Sequence, residues 1–219
     1  AEVAIEGPFK GVRGATVFFW MLPYVEQQAS FERAKKFGSP KEYATNGPPV
    51  VVEGACTTVV PAFLCPSNPG AKDGYPISTY GGAHKWAVSC FAANYLVFGE
   101  PDASTWVLRL QGKPTLDRSF PDGLSNTIFF AERYGSCGYA GSPDAQYTYS
   151  SLWADSNWGF RAAFCINTGY QQPDRVGYQP CLLFQDSPNP WTTCEARRAN
   201  SPHPGGMNVG LGDGSVRTV

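Results

Sequence analysis

The stretch "HPGGMNVGLGDGSVRTV", His203 to Val219, sets apolar Met207, Val209 and Leu211 against Asn208 and Gly210. A period of two gives an extended strand one apolar face, and Gly212-Asp213-Gly214 supplies the reversal before a second short strand, Ser215 to Val219. The pattern predicts a terminal β-hairpin. A helical period occurs near the start. Leu22, Val25 and Ala29 share one face with Tyr24, Gln28 and Phe31 beside them, Pro23 suits a first helical turn, and Gly38-Ser39-Pro40 stops the run. The spacing predicts a helix over about Pro23 to Lys36, its apolar face packed on a sheet. Glu26 and Glu32 balance its basic residues, which argues against a membrane-surface helix. The other apolar runs, "PPVVVEG", "TTVVPAFLC", "AANYLVFG", "TWVLRL", "NTIFFAER" and "SLWAD", are short and bounded by turn residues. Together they predict an α+β fold: an antiparallel sheet with one N-terminal packing helix and long loops.

Composition narrows this picture. A chain of 219 residues buries a substantial core without metals or cross-links, and no low-complexity linker divides it, so 1–219 reads as one domain. Charged residues make up 16%, while Gly 24 and Pro 19 are well above average usage, which means short strands and long ordered loops. With 17 basic and 18 acidic side chains and no Lys or Arg stripe, nucleic acid is excluded as a partner. The opening "AEVAIEGPFKGVRGATVFFW" holds no apolar run long enough to span a bilayer, so no membrane contact is expected from this segment.

Candidate chemistry is sparse. There is no CxxC pair, and His84 and His203 are the only histidines, so a thiolate-rich zinc site has little support. In "FPDGLSNTIFFAER", Asp122-Gly123 makes a turn leading into a buried strand, with Glu132 tied to a backbone amide or a basic side chain. The alternative use of this block is a calcium site in which Asp122 and Asn126, with Asp213, supply oxygens, although the dense acidic loop typical of such sites is missing. His203 lacks a nucleophile signature around it. It is expected to anchor the hairpin through a hydrogen bond from its ring, while Asp213 accepts backbone amides inside the reversal that Gly214 permits. Neither "HPGG" nor "GLGDG" matches a phosphate-cradling loop. Trp153, Trp158, Tyr170, Tyr178 and Trp191 fall in an amide- and Pro-rich stretch, where they either plug a core beneath long loops or form a glycan or solute site. The region of about 138–202 is the expected variable insert.

The ending also carries a family resemblance, since His203 is followed by nine residues and then Asp213-Gly214. "MLPYVEQQASF" (Met21 to Phe31), "FLCPSNP" (Phe63 to Pro69), "AANYLVFGE" (Ala92 to Glu100) and "FPDGLSNTIFFAER" (Phe120 to Arg133) look like LPYLEQ, CPSD, NYLG and DGTSNT-ER blocks in the same order. The chain resembles the bacterial surface proteins with a pilin-type leader grouped as domain of unknown function 1559.

That resemblance implies a pilin-like headpiece at the bacterial cell surface, without the leader and apolar helix the family pattern places ahead of it. It implies a structural subunit, not an enzyme, assembling with copies of itself into a filament or appendage through that helix. An extracytoplasmic saccharide- or solute-binding module, with a glycan as ligand on the aromatic loops, is the alternative. No cofactor is expected beyond the candidate calcium. The implied location favours disulfides among the seven cysteines, Cys56 with Cys65 and Cys181 with Cys194 being the preferred pairs. The odd thiol is then expected to have its partner in the segment preceding the head.

Overall fold

The computed structural model describes residues 16–36, 55–78, 86–99, 112–138, 141–142, 148–155, 160–165, 181 and 184–219. The fold is mixed α+β, with few helices and several mainly antiparallel sheets. Helix α1 (Val17–Met21) starts at Thr16, whose hydroxyl accepts the Phe19 N–H at 3.3 Å and donates to the Trp153 carbonyl. A 3-10 turn follows over Leu22–Val25, then α2 (Gln28–Lys36). The single helix expected over Pro23 to Lys36 is therefore broken. Pro23 sits in the tight turn, and Glu26 adopts a left-handed backbone (φ 60°) that ends it, with Gln27 N–H closing on the Leu22 carbonyl at 2.9 Å.

Eleven short strands follow among the described residues: β1 (Ala71–Lys72), β2 (Tyr75–Pro76), β3 (Phe91–Asn94), β4 (Ile128–Glu132), β5 (Ser136–Gly138), β6 (Thr148–Ser150), β7 (Ala163–Phe164), β8 (Gln185–Asp186), β9 (Asn200–Ser201), β10 (Asn208–Leu211) and β11 (Val216–Thr218). The main sheet has the order β11-β10-β4-β3-β7, antiparallel except for β3 with β7. Its middle strand is β4, where Ala131 pairs with Val209 on one side and Ala92 on the other. The expected terminal hairpin is β10–β11, and Gly214 turns it at φ 85°.

Three other strand expectations change: "SLWAD" makes isolated bridges at Leu152 and then turns. "TTVVPAFLC" coils through a 3-10 turn at Pro61–Phe63, since Pro61 offers no ladder N–H. "AANYLVFG" leaves the sheet after β3 for the short helix α3 (Tyr95–Phe98), because the Asn94 side chain caps it by accepting Leu96 N–H at 2.9 Å. "PPVVVEG" and "TWVLRL" lie outside the described residues.

The larger core lies under the N-terminal helices. Phe18 packs edge-on against Phe63 (5.1 Å) and Phe130 (6.0 Å), and Trp153 is fully buried beside Phe63, its indole N–H donating to Thr58 O at 3.0 Å. Burying a ring of that size removes roughly 200 Å² from water, about 5 kcal/mol of transfer free energy before ordering costs. Trp153 is thus a core residue and not part of a ligand surface.

Two disulfides are formed, Cys137–Cys194 and Cys165–Cys181, and Cys56, Cys65 and Cys90 are not disulfide-bonded. This corrects both preferred pairs. Cys56 is locked in the buried turn Ala55–Thr57, whose Cys56 carbonyl receives Ala87 N–H, while Cys65 lies beyond Phe63 beside His203. Cys194 meets Cys137 instead of Cys181 because Gly138 N–H bonds Pro190 O at 2.8 Å and draws the two loops together, leaving their Cα atoms 5.4 Å apart. Disulfides of this kind form in oxidising, extracytoplasmic compartments. Among the described residues, no helix is long and apolar enough to cross a membrane.

Candidate functional site

The "CPSN" loop is stapled to the end of β4. Asn68 is buried; its amide donates to Arg133 O at 2.9 Å, and its carbonyl accepts both Gly70 N–H and Gly135 N–H at 3.0 Å. Gly70 lies so close to Ser136 that a Cβ there would come within 2.5 Å of backbone atoms. A bond from Cys90 N–H to Phe63 O (2.7 Å) holds the other arm of the loop on β3. Cys65 is thereby set beside Glu132, the last residue of β4.

His203 arrives from the opposite direction, just after β9. Its N–H donates to Ser201 Oγ (3.1 Å), and Gly205 N–H donates to Asp186 Oδ2 (2.9 Å), fixing the bend that follows. His203 Nε2 then lies 3.4 Å from Glu132 Oε1 and 3.8 Å from Cys65 Sγ, and donor atoms of the three residues all lie within 4.8 Å of one another. The Glu132 side chain is only 4% exposed, whereas that of His203 is 43% exposed, so the cluster has a buried floor and a wet rim. Glu132 is rigidly held: Oε2 accepts from Ser201 Oγ–H (2.6 Å) and Asn208 N–H (3.4 Å), and Oε1 accepts from Asn208 Nδ2 (3.0 Å). One imidazole nitrogen faces both the thiol and the carboxylate. A nucleophile relay needs them on opposite ring nitrogens, so the arrangement does not form one.

Cys90 lies behind Cys65, whose backbone N–H bonds its sulfur; burial, reinforced by the nearby Cys65 and Glu132, pushes the Cys90 thiol up to about 11. It remains a neutral thiol at physiological pH.

A family model described as "Protein of unknown function (DUF1559)" matches residues 4–219. The chain belongs to the DUF1559 family. Comparison with curated proteins and with solved structures finds no match. In this DUF1559 chain the two halves of the His-x9-Asp-Gly signature occupy different places. His203 joins the cluster with Glu132, while Asp213 is exposed in the hairpin turn, where Oδ1 accepts Ser215 N–H (2.9 Å) and Ser215 Oγ–H (2.7 Å). These Ser215 bonds hold the Asp213 carboxyl below the usual range.

Asp122 and Asn126 form their own turn, the Asn126 amide donating to Asp122 O at 2.8 Å. The hairpin turn packs beside it, with Gly212 N–H on Thr127 O at 3.0 Å. Among the described residues, Cys65, Glu132 and His203 form a group that offers three His, Cys or acidic ligand atoms within 4.8 Å of one another. Trp191 is half-buried in the loop that carries Cys194, and Trp158, Tyr170 and Tyr178 lie outside the described residues. A separate cleft of about 180 Å³ is lined by Trp20, Asn94, Tyr95, Phe98 and Arg161. Sequence reasoning singled out His203 and Glu132 separately but missed their meeting with Cys65, and missed the cleft, because the residues are scattered along the chain without a common spacing.

Proposed function

We propose that this DUF1559 chain is the head of a cell-surface structural subunit, pilin-like or pseudopilin-like, that assembles into a filament or appendage through a helix preceding it. The observation that supports this most is the packing of the N-terminal helical segment on the antiparallel sheet, with Phe18 lodged between Phe63 and Phe130. A helix laid on a sheet in this way is what a pilin-like head requires. The two disulfides suit a life outside the cytoplasm. The reading is non-catalytic, in keeping with a histidine that turns the same ring nitrogen, Nε2, to both neighbours. Antibody labelling of intact native cells tests it: label along filaments is expected, and label confined to free monomers would overturn it.

A second reading, an extracytoplasmic solute-binding module, draws on the 180 Å³ cleft, where Trp20, Tyr95 and Phe98 offer flat rings beside Arg161. Its size suits a small solute or one sugar unit. Loss of binding in Trp20→Ala, measured by calorimetry against a panel of monosaccharides, would support it, and a panel without any binder would remove it.

A further inference from the structure

The geometry points to a divalent transition-metal site of the zinc class at Cys65, Glu132 and His203. The donor set is one sulfur, one imidazole nitrogen and one carboxylate, the mixture that zinc takes; calcium or magnesium would require more oxygens and no thiolate. The distances agree. A tetrahedral ion bound at about 2.3 Å to sulfur and about 2.0–2.1 Å to nitrogen and oxygen holds S and N about 3.6 Å apart and N and O about 3.3 Å apart. The corresponding distances here are 3.8 Å and 3.4 Å. A hydrogen-bonded pair needs only two groups to meet; here three donors, one from each residue, converge within 4.8 Å.

The surroundings fit as well. Ser201 and Asn208 orient the Glu132 carboxylate as outer-shell partners orient a ligating carboxylate. Among the described residues Glu132 pairs with His203, so a cation between them would neutralise the buried carboxylate. The 43% exposure of His203 leaves the outer side of the ion open to water or to a fourth donor. This also explains why the histidine of the signature and the cysteine of the "CPSN" block belong to one chain: each supplies a ligand, and the sheet supplies the third.

The test uses the disulfide-intact protein, stripped with a chelator and titrated with zinc against a chromophoric competitor, and in parallel with cobalt(II). One equivalent should bind, and the cobalt form should show a thiolate charge-transfer band with intense d–d bands of four-coordination. Cys65→Ser should abolish the charge-transfer band. His203→Ala and Glu132→Gln should each weaken zinc by at least about tenfold, as even outer-shell changes at zinc sites do. Cys56→Ala should keep both signals. Wild-type protein gives a readout independent of any variant's folding: zinc should protect Cys65 from alkylation. No stoichiometric binding, alkylation of Cys65 unaffected by zinc, or full affinity in a folded Cys65→Ser protein would each overturn the site.

Discussion

Cys65 and His203 stand 138 residues apart in the chain and 3.8 Å apart in space. Nothing in the local sequence of either predicts the other. They meet because β4 lies between the elements that carry them, with Asn68 fixing one loop to its end and Ser201 fixing the other through Glu132.

Glu132 is the keystone of that arrangement. Its carboxylate accepts from the buried Ser201 and twice from the exposed Asn208 besides meeting His203, so Glu132→Ala leaves the Ser201 hydroxyl and both Asn208 donors without this acceptor. A loss of about 3 kcal/mol or more is expected, since hydrogen bonds to a charged group are worth about 1.5–3 kcal/mol each and do not add fully. Glu132→Gln keeps one acceptor oxygen and should lose less. Chemical denaturation of the metal-stripped proteins measures both, and a Glu132→Ala midpoint equal to wild type would contradict the assignment.

Peptide mapping of unreduced protein should recover Cys137 joined to Cys194 and Cys165 joined to Cys181, with Cys56, Cys65 and Cys90 in no disulfide-linked peptide. The first bridge spans 57 residues, and the chain-entropy relation gives such a closure about 4 kcal/mol, against about 3 kcal/mol for the 16-residue span of the second. Cys137→Ser should therefore cost more than Cys181→Ser. A Cys56–Cys65 or Cys181–Cys194 peptide would refute the pairing.

These pairings show where the sequence was legible and where it was not. Alternation named the terminal hairpin, and the "NTIFFAER" run named β4, because both depend on neighbours in the chain. Cys137 and Cys194 did not pair by proximity in sequence, since the Gly138–Pro190 bond brings distant loops together and no local rule encodes it. The helix break at Glu26 escaped notice because the apolar spacing runs on through it. Trp153 read equally well as core or ligand surface, and only its burial beside Phe63 decides the matter. The candidate site was half visible: His203 was expected to anchor the hairpin through its ring, but its meeting with Cys65 and Glu132 depends on tertiary packing alone.

Acid should reach the hairpin turn through Asp213. Its folded-state carboxyl is held below the ordinary value of 3.8 by Ser215 Oγ–H and N–H, so its contribution is present above that value and fades as pH falls through the lower folded value. The side chain is fully exposed, so the effect is small. Melting curves of wild type and Asp213→Ala should differ near neutral pH and converge once the pH falls below the lowered folded value, as protonation removes what the substitution removes. A difference that persists at the acid end would assign Asp213 another role.

Asn68 offers the sharpest link between fold and site. Its amide makes three bonds to backbone groups of two different segments, and all three are buried. Asn68→Ala should cost about 2–4 kcal/mol, because it strands one carbonyl and two N–H groups where water does not reach. Asn68→Asp should be no better: the carboxylate still accepts from Gly70 and Gly135, but it faces the Arg133 carbonyl without a proton to donate, and burying a charge adds its own penalty. If this staple is what sets Cys65 beside His203, both variants should also raise the alkylation rate of Cys65 under conditions where the protein is still folded. A destabilised Asn68→Ala protein whose Cys65 reacts at the wild-type rate would mean that the bond from Cys90 to Phe63 alone positions the loop.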